Sequence, residues 1–150
     1  MLSDIAQQTL IEHQTLKHIV EALRTVLNWH VPEAGAPRKL TSLRFVTSSL
    51  QRHVEYMLNL EETGGYMPEI RAASPKLTDQ VEALRQQHDE FRETLRQIVA
   101  GLEEVTAGNQ QQFASLCERL TTLLAKLDEH SKKETELVQE AFLREEGGEG

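Results

Sequence analysis

The stretch FASLCERLTTLLAKLDEHSKKETELVQEA, residues 113–141, decides the fold class. Its apolar side chains stand at Phe113, Leu116, Leu120, Leu123 and Leu127, and the same line continues through His130 and Glu134 to Leu137 and Ala141. Every step is three or four residues. That is the period of one stripe along an α-helix whose inner side meets a core. Two polar residues interrupt the stripe, and they sit one helical turn apart on the same side.

Three further stretches repeat the pattern. Ser3 is placed to cap a helix predicted to run to about Trp29, with Ala6, Leu10, His13, Leu16, Val20, Leu23 and Leu27 in line. A second helix is predicted from about Lys39 to Glu62, its line being Leu43, Val46, Leu50, His53, Met57 and Leu60. Ser74-Pro75 reads as a cap followed by a proline at the first helical position. The third line follows it: Leu77, Val81, Leu84, His88, Phe91, Leu95, Ile98, Leu102 and Val105. Between the lines stand the loop Val31–Pro37, the pair Gly64-Gly65 and the pair Gly108-Asn109. Glycines of this kind tolerate a positive φ and end helices. No run alternates with period two, so no strand is expected. Four amphipathic helices joined by short loops pack as an all-α, antiparallel up-and-down four-helix bundle. One domain over 1–144 accounts for it, followed by an acidic, glycine-rich tail over 145–150 predicted to lack order.

Composition narrows the function. The formal net charge of −8 disfavours nucleic acid as a partner, because phosphates repel an acidic chain. No apolar run approaches the length that spans a bilayer, and Met1-Leu2-Ser3-Asp4 does not begin a signal peptide. A single cysteine, Cys117, cannot form an internal disulfide and suits a reducing cytoplasm. Aromatic residues make up only 5%, so Leu, Val and Ile must fill the core.

Each apolar line contains a polar residue where an apolar one belongs: His13, His53, His88, His130 and Glu134. Of six histidines only His18 and His30 lie off the lines. A single core histidine is ordinarily a hydrogen-bonded buried residue. Four on four helices, with a carboxylate, are different, because a buried ionised Glu costs several kcal/mol unless it is paired or metal-bound. One cation resolves the cost for all of them. His13 lies 21 positions before Ala34 and Met57 lies 23 after it; His88 lies 20 before Gly108 and His130 lies 22 after it. In an antiparallel bundle these positions share one level, roughly 30 Å from the loops at about 1.5 Å per residue. Glu61 follows Met57 by four residues, as Glu134 follows His130, so two carboxylates are expected in one layer, where they can bridge two ions.

Glu12-His13, the run Leu60-Glu61-Glu62-Thr63-Gly64-Gly65-Tyr66-Met67, Gln87-His88 and His130-Ser131-Lys132-Lys133-Glu134 resemble the hemerythrin-like HHE cation-binding family over about residues 5–142. The resemblance implies a carboxylate-bridged di-iron centre with His13, Glu61, His88, His130 and Glu134 as ligands. It implies binding or sensing of dioxygen, another small diatomic ligand or redox state, or the handling of iron. Mononuclear iron or zinc is the alternative occupant. One departure stands out: where the family has a histidine four residues before Glu61, this chain has Met57. A thioether is a soft ligand, poorly suited to iron among oxygen and nitrogen donors, and the plain reading of Met57 is a core filler. His53, one turn earlier, is either the substitute ligand or a hydrogen-bonded buried histidine. Glu62 is read as solvent-facing or exchangeable with Glu61, and Tyr66 as a turn residue or a hydrogen-bond partner of a ligand. Phe91, Leu127 and Leu16 are expected to wall the site. No nucleophile–base pair or phosphate loop argues for a conventional enzyme, leaving peroxide or nitric oxide chemistry as the enzymatic option. Two other readings remain: a metal-free helical scaffold, motivated by Met57, and haem held by Met57 and a histidine.

Overall fold

The computed structural model describes residues 2–32 and 35–147, with the side chains of 4–32 and 35–141. The chain is helical: α1 Leu2–Leu27, α2 Ala36–Thr63, α3 Tyr66–Ala73, a 3-10 turn Pro75–Leu77, α4 Thr78–Glu104 and α5 Gln110–Gly147. No strand occurs among the described residues. The four long helices pack as a bundle in which α1 and α4 each touch both α2 and α5. No helix among the described residues is long and apolar enough to cross a membrane. Of the predicted tail, 148–150 lie outside the described residues, while the backbone of α5 is helical to Gly147. The side chain of Ser3, the predicted cap, lies outside them too.

Long-range side chains tie helix ends together. Lys39 Nζ donates to Leu27 O at 3.0 Å and Trp29 O at 2.8 Å, closing the end of α1. Arg44 donates to Leu102 O at 2.5 Å and Val105 O at 2.9 Å, closing the end of α4. Carbonyls at a helix C-terminus lack intrahelical partners and carry partial negative charge, so a cation from a neighbouring helix satisfies both needs.

The lines predicted for α4 and α5 are buried throughout, from Leu77 to Val105 and from Phe113 to Ala141. Those of α1 and α2 are corrected. Thr9 is buried while Leu10 is 44% exposed. The Thr9 hydroxyl bonds its own helix at Ile5 O, which lets it face inward. In α2 the inward residues are Leu40, Leu43, Thr47, Leu50, Val54, Met57, Leu58 and Glu61. The step of four from Leu43 to Thr47 rotates the stripe, so Val46, His53 and Leu60 fall on its flank. α2 also starts earlier than predicted, because Pro37 fits a first turn, where no N–H is required.

The segment after Gly65, predicted as a turn, holds the two-turn helix α3, which buries Tyr66, Met67 and Ile70. Eight residues with Pro68 in the first turn give too short a periodic pattern to read. Ser74 does not cap α4 with its hydroxyl; its carbonyl accepts from Leu77 N at 2.9 Å, forming the 3-10 turn. Gly64 and Gly65 end α2 as predicted, but not through positive φ, since their values are −122° and −100°. Gly65 is required by close approach instead. A Cβ there would lie 2.6 Å from Leu60 O and 2.7 Å from the Cα of Glu61.

Burial divides into two apolar clusters. The larger runs from Leu16 and Leu40 through Leu50, Met57, Phe91 and Leu95 to Leu127. The smaller gathers Ala6, Tyr66, Met67, Ile70, Val81, Leu84 and Leu137 at the end that α3 closes. In every long helix a polar residue lies between the two clusters: His13 on α1, Glu61 on α2, His88 on α4, and His130 with Glu134 on α5.

Gly65→Ala is therefore expected to push the α2–α3 junction off Glu61 and to destabilise the protein by about 1–3 kcal/mol, the usual cost of overpacking. Urea unfolding should show a lower midpoint at unchanged slope; a midpoint equal to that of the parent would refute the close-approach explanation.

Candidate metal centre

Three imidazoles turn their Nε2 atoms onto two carboxylates in this polar layer. His13 Nε2 lies 3.0 Å from Glu61 Oε2 and 3.3 Å from Glu134 Oε1. His88 Nε2 lies 3.4 Å from Glu61 Oε1 and 3.3 Å from Glu134 Oε2. His130 Nε2 lies 3.0 Å from Glu134 Oε1. All five side chains are buried, His88 and Glu134 completely.

Each ring is held from behind through its other nitrogen. His88 Nδ1 meets Glu62 Oε2 at 2.7 Å, and Arg92 braces the same carboxylate oxygen at 2.9 Å. His130 Nδ1 meets Gln87 Oε1 at 2.5 Å, and His13 Nδ1 meets Ser131 Oγ at 2.9 Å. A carboxylate or amide oxygen behind Nδ1 accepts its N–H, so the lone pair of Nε2 points inward. This is the usual arrangement behind a metal-bound histidine. Lone pairs 3.0–3.4 Å from carboxylate oxygens repel unless a proton or cation stands among them. Glu61 Oε1, Glu134 Oε1 and His130 Nε2 are buried without a hydrogen-bond partner. His130 Nε2 and Glu134 Oε1 are close but not aligned to bond each other, as two donors to a shared ion would be. Buried polar atoms are nearly always satisfied, and three orphans in one polar layer fit bound cations.

The donors fall into two groups, His88 with His130 and Glu134, and His13 with Glu61 and Glu134; within each, the donor atoms lie within 4.8 Å of one another. Glu134 belongs to both. Imidazole nitrogen with carboxylate oxygen suits first-row divalent ions such as iron and zinc. A profile of the hemerythrin HHE cation binding domain matches residues 5–142.

The chain belongs to the hemerythrin HHE cation-binding family. Metal binding is what the family and the buried His/Glu groups jointly indicate. No curated protein and no solved structure gives a significant match.

Among the residues singled out in the sequence, His13, Glu61, His88, His130 and Glu134 are brought together in this layer. His53 is not. It lies on the flank of α2 beside α1, its Nε2 3.1 Å from Glu12 O, and it belongs to neither donor group. A carbonyl only accepts, so that nitrogen carries a proton and has no lone pair to offer. Of the two readings of His53, the hydrogen-bonded histidine is the one the geometry gives. Met57 is 1% exposed within the larger cluster, a core filler with no tie to the polar layer, and this argues against haem ligation. Glu62 is not simply solvent-facing, since it positions His88. Tyr66 is fully buried and donates a short hydrogen bond to Glu134 Oε2. Phe91 presses edge-on against the His130 ring, 5.0 Å between centroids, as part of the dry wall.

Gln87, Ser131 and Arg92 were not read from the sequence as parts of the site. Gln87 and Ser131 each adjoin one of the clustered histidines in sequence. On a helix a neighbour points about 100° away, so each serves the histidine of the adjacent helix.

Electrostatics follow the geometry. Burial alone pulls the His13 imidazolium down, but Glu134 and Glu61 outweigh it and raise its pKa to about 10. Burial favours a neutral Glu134, yet the imidazoles of His13, His130 and His88 beside it hold it well below the usual carboxylate range. Glu61 is pushed up by burial and then by the charge of Glu134. Tyr66 is raised by burial and by Glu134, so it stays a phenol donor.

Because the folded-state pKa of His13 exceeds its ordinary 6.5, its contribution is complete below about pH 6.5 and is lost as pH rises through about 10. Protein stripped of cations should therefore show a falling thermal midpoint between about pH 7 and pH 10. Cation-loaded protein, in which His13 is a neutral imidazole throughout that range, should not. Equal slopes in the two preparations would refute this account of the cluster.

Proposed function

We propose that this chain binds two first-row divalent cations, iron in the first instance, in a buried, carboxylate-bridged centre. We propose further that it uses them to bind or sense a small oxidant such as dioxygen, or to handle iron. The observation that carries the reading is that Glu61 Oε1, Glu134 Oε1 and His130 Nε2 are buried without a hydrogen-bond partner in the layer where three imidazoles meet two carboxylates. The reading takes the long helices as an antiparallel up-and-down bundle. The pairs Lys39–Leu27 and Glu61–His13, and Arg119–Gln97 and His130–Gln87, support that order, because the partner's number falls as the first rises. It also takes the protein as cytoplasmic, in keeping with its single unpaired Cys117.

In this reading His13, His88 and His130 would offer Nε2 and Glu134 and Glu61 their carboxylate oxygens, with Glu134 common to both donor groups, while Glu62, Gln87 and Ser131 fix ring orientation. A bound iron pair would supply a redox couple and an open coordination position. The chain's own part is to hold that position dry. The larger cluster seals one side, and α3 with Tyr66, Met67 and Ile70 seals the other. Tyr66 also keeps a proton donor on Glu134.

The alternative of a metal-free scaffold rests on Met57 alone and leaves the orphaned atoms unexplained. Equilibrium dialysis against ferrous ion under anaerobic conditions separates the two. Uptake by the parent, with a thermal midpoint that rises with ferrous ion as mass action requires, and a reduction of both in His130→Ala, is the expected result. No uptake and an unmoved midpoint would sink the metal-binding reading.

A further inference from the structure

The two donor groups are unequal in three respects. Around Glu134, one group offers two imidazoles, His88 and His130, both fully or almost fully buried. The other offers one imidazole, His13, with Glu61. One turn before Glu61, α2 offers no second nitrogen: the position holds the thioether of Met57, which lies in the apolar core. Support from behind differs as well. His88 is backed by a carboxylate that Arg92 braces, whereas His13 is backed only by the hydroxyl of Ser131.

Access differs most of all. A groove of about 530 Å³ runs between α1 and α5, and His13 and Ser131 line it, with Lys17, Asp128 and Thr135 along its walls. His13 is the most exposed of the five donor residues, at 8%. Neither His88 nor His130 lines this groove. The His13 ring thus spans the wall between solvent and centre, with Nδ1 on the groove side and Nε2 on the two carboxylates.

Resting on the metal-binding reading above, we propose that the two positions have different duties: His88, His130 and Glu134 hold a resident cation, while His13, Glu61 and Glu134 form an exchangeable position. That position takes up and releases a divalent cation through the α1/α5 groove, with His13 as the moving ligand. Behind the ring stands a single hydrogen bond, to Ser131, and once that bond and the tie of Nε2 to Glu61 are released the ring can swing toward the groove, which His88 does not line. The oxygen-rich donor set of this position binds hard divalent ions with less preference among them than the two-imidazole position.

The test is anaerobic titration of the full chain with ferrous ion, followed by release into excess chelator. Two binding classes of about one ion each are expected, separated by roughly tenfold or more, the scale on which losing ligand support acts on metal affinity. One equivalent should be released fast and the other slowly. His13→Ala should remove the weak, fast class alone, and His130→Ala should remove the tight class. Met57→His should slow the fast class. Because a polar residue at 57 can unfold the core, the two-class result on the unaltered chain decides the matter even if that variant fails. A single class of sites in the parent, or loss of both classes in His13→Ala, overturns the inference and leaves metal binding intact. No ferrous ion bound at all overturns the metal-binding reading itself.

Discussion

The buried charge of Glu134 is the constraint on which the arrangement depends. A lone carboxylate in an apolar interior is strongly disfavoured, and the effective penalty is several kcal/mol even after relaxation. Here it is met by three imidazoles from three helices and by the phenol of Tyr66. None of those partners can reach it unless α1, α3, α4 and α5 are all in place. The polar layer therefore works as a register device: sliding α1 or α4 by one turn would carry its histidine out of the layer and take a partner from the carboxylate. Apolar side chains above and below fill volume without such specificity, since many leucine packings are nearly equivalent.

The division of the core follows from that layer. Separating two apolar clusters with a polar sheet of side chains costs some contiguity of packing, but it isolates the layer from water on both sides. α3 matters for the same reason. It contributes no donor to either group, yet it places Tyr66, Met67 and Ile70 over the open end. Gly65 lets it turn that tightly, because any Cβ would collide with the backbone that carries Glu61. A short helix outside the repeating pattern thus governs the position of a principal carboxylate.

The unequal number of imidazoles in the two donor groups goes with one side chain on α2. Met57 sits at an inward position of α2 one turn before Glu61, and its thioether packs with leucines instead of turning toward the polar layer. His53 does not compensate. The stripe on α2 rotates at Thr47, and a residue four positions before Met57 ends on the flank, against the carbonyl of Glu12. What remains on that side is one imidazole and oxygen donors, next to a groove. On the other side, two imidazoles are locked by Glu62 and Gln87.

Much of this was legible in the sequence, because period and polarity are local properties. Steps of three and four gave the helices, and the lines of α4 and α5 were readable to the last residue since they keep one phase throughout. Counting positions from the loops was enough to bring His13, Glu61, His88, His130 and Glu134 to a common level, because helical rise is constant. The α2 stripe was not readable, since Thr47 and Val46 compete for the same turn and hydrophobicity favours the wrong one. Nor was α3, with too few residues to show a period. The partners behind each ring could not be assigned either. Gln87 serves His130 and Ser131 serves His13, pairings between helices that depend on rotation about each axis, which sequence spacing does not encode. Tertiary packing alone set those rotations, and with them which histidine faces the groove and which carboxylate is shared.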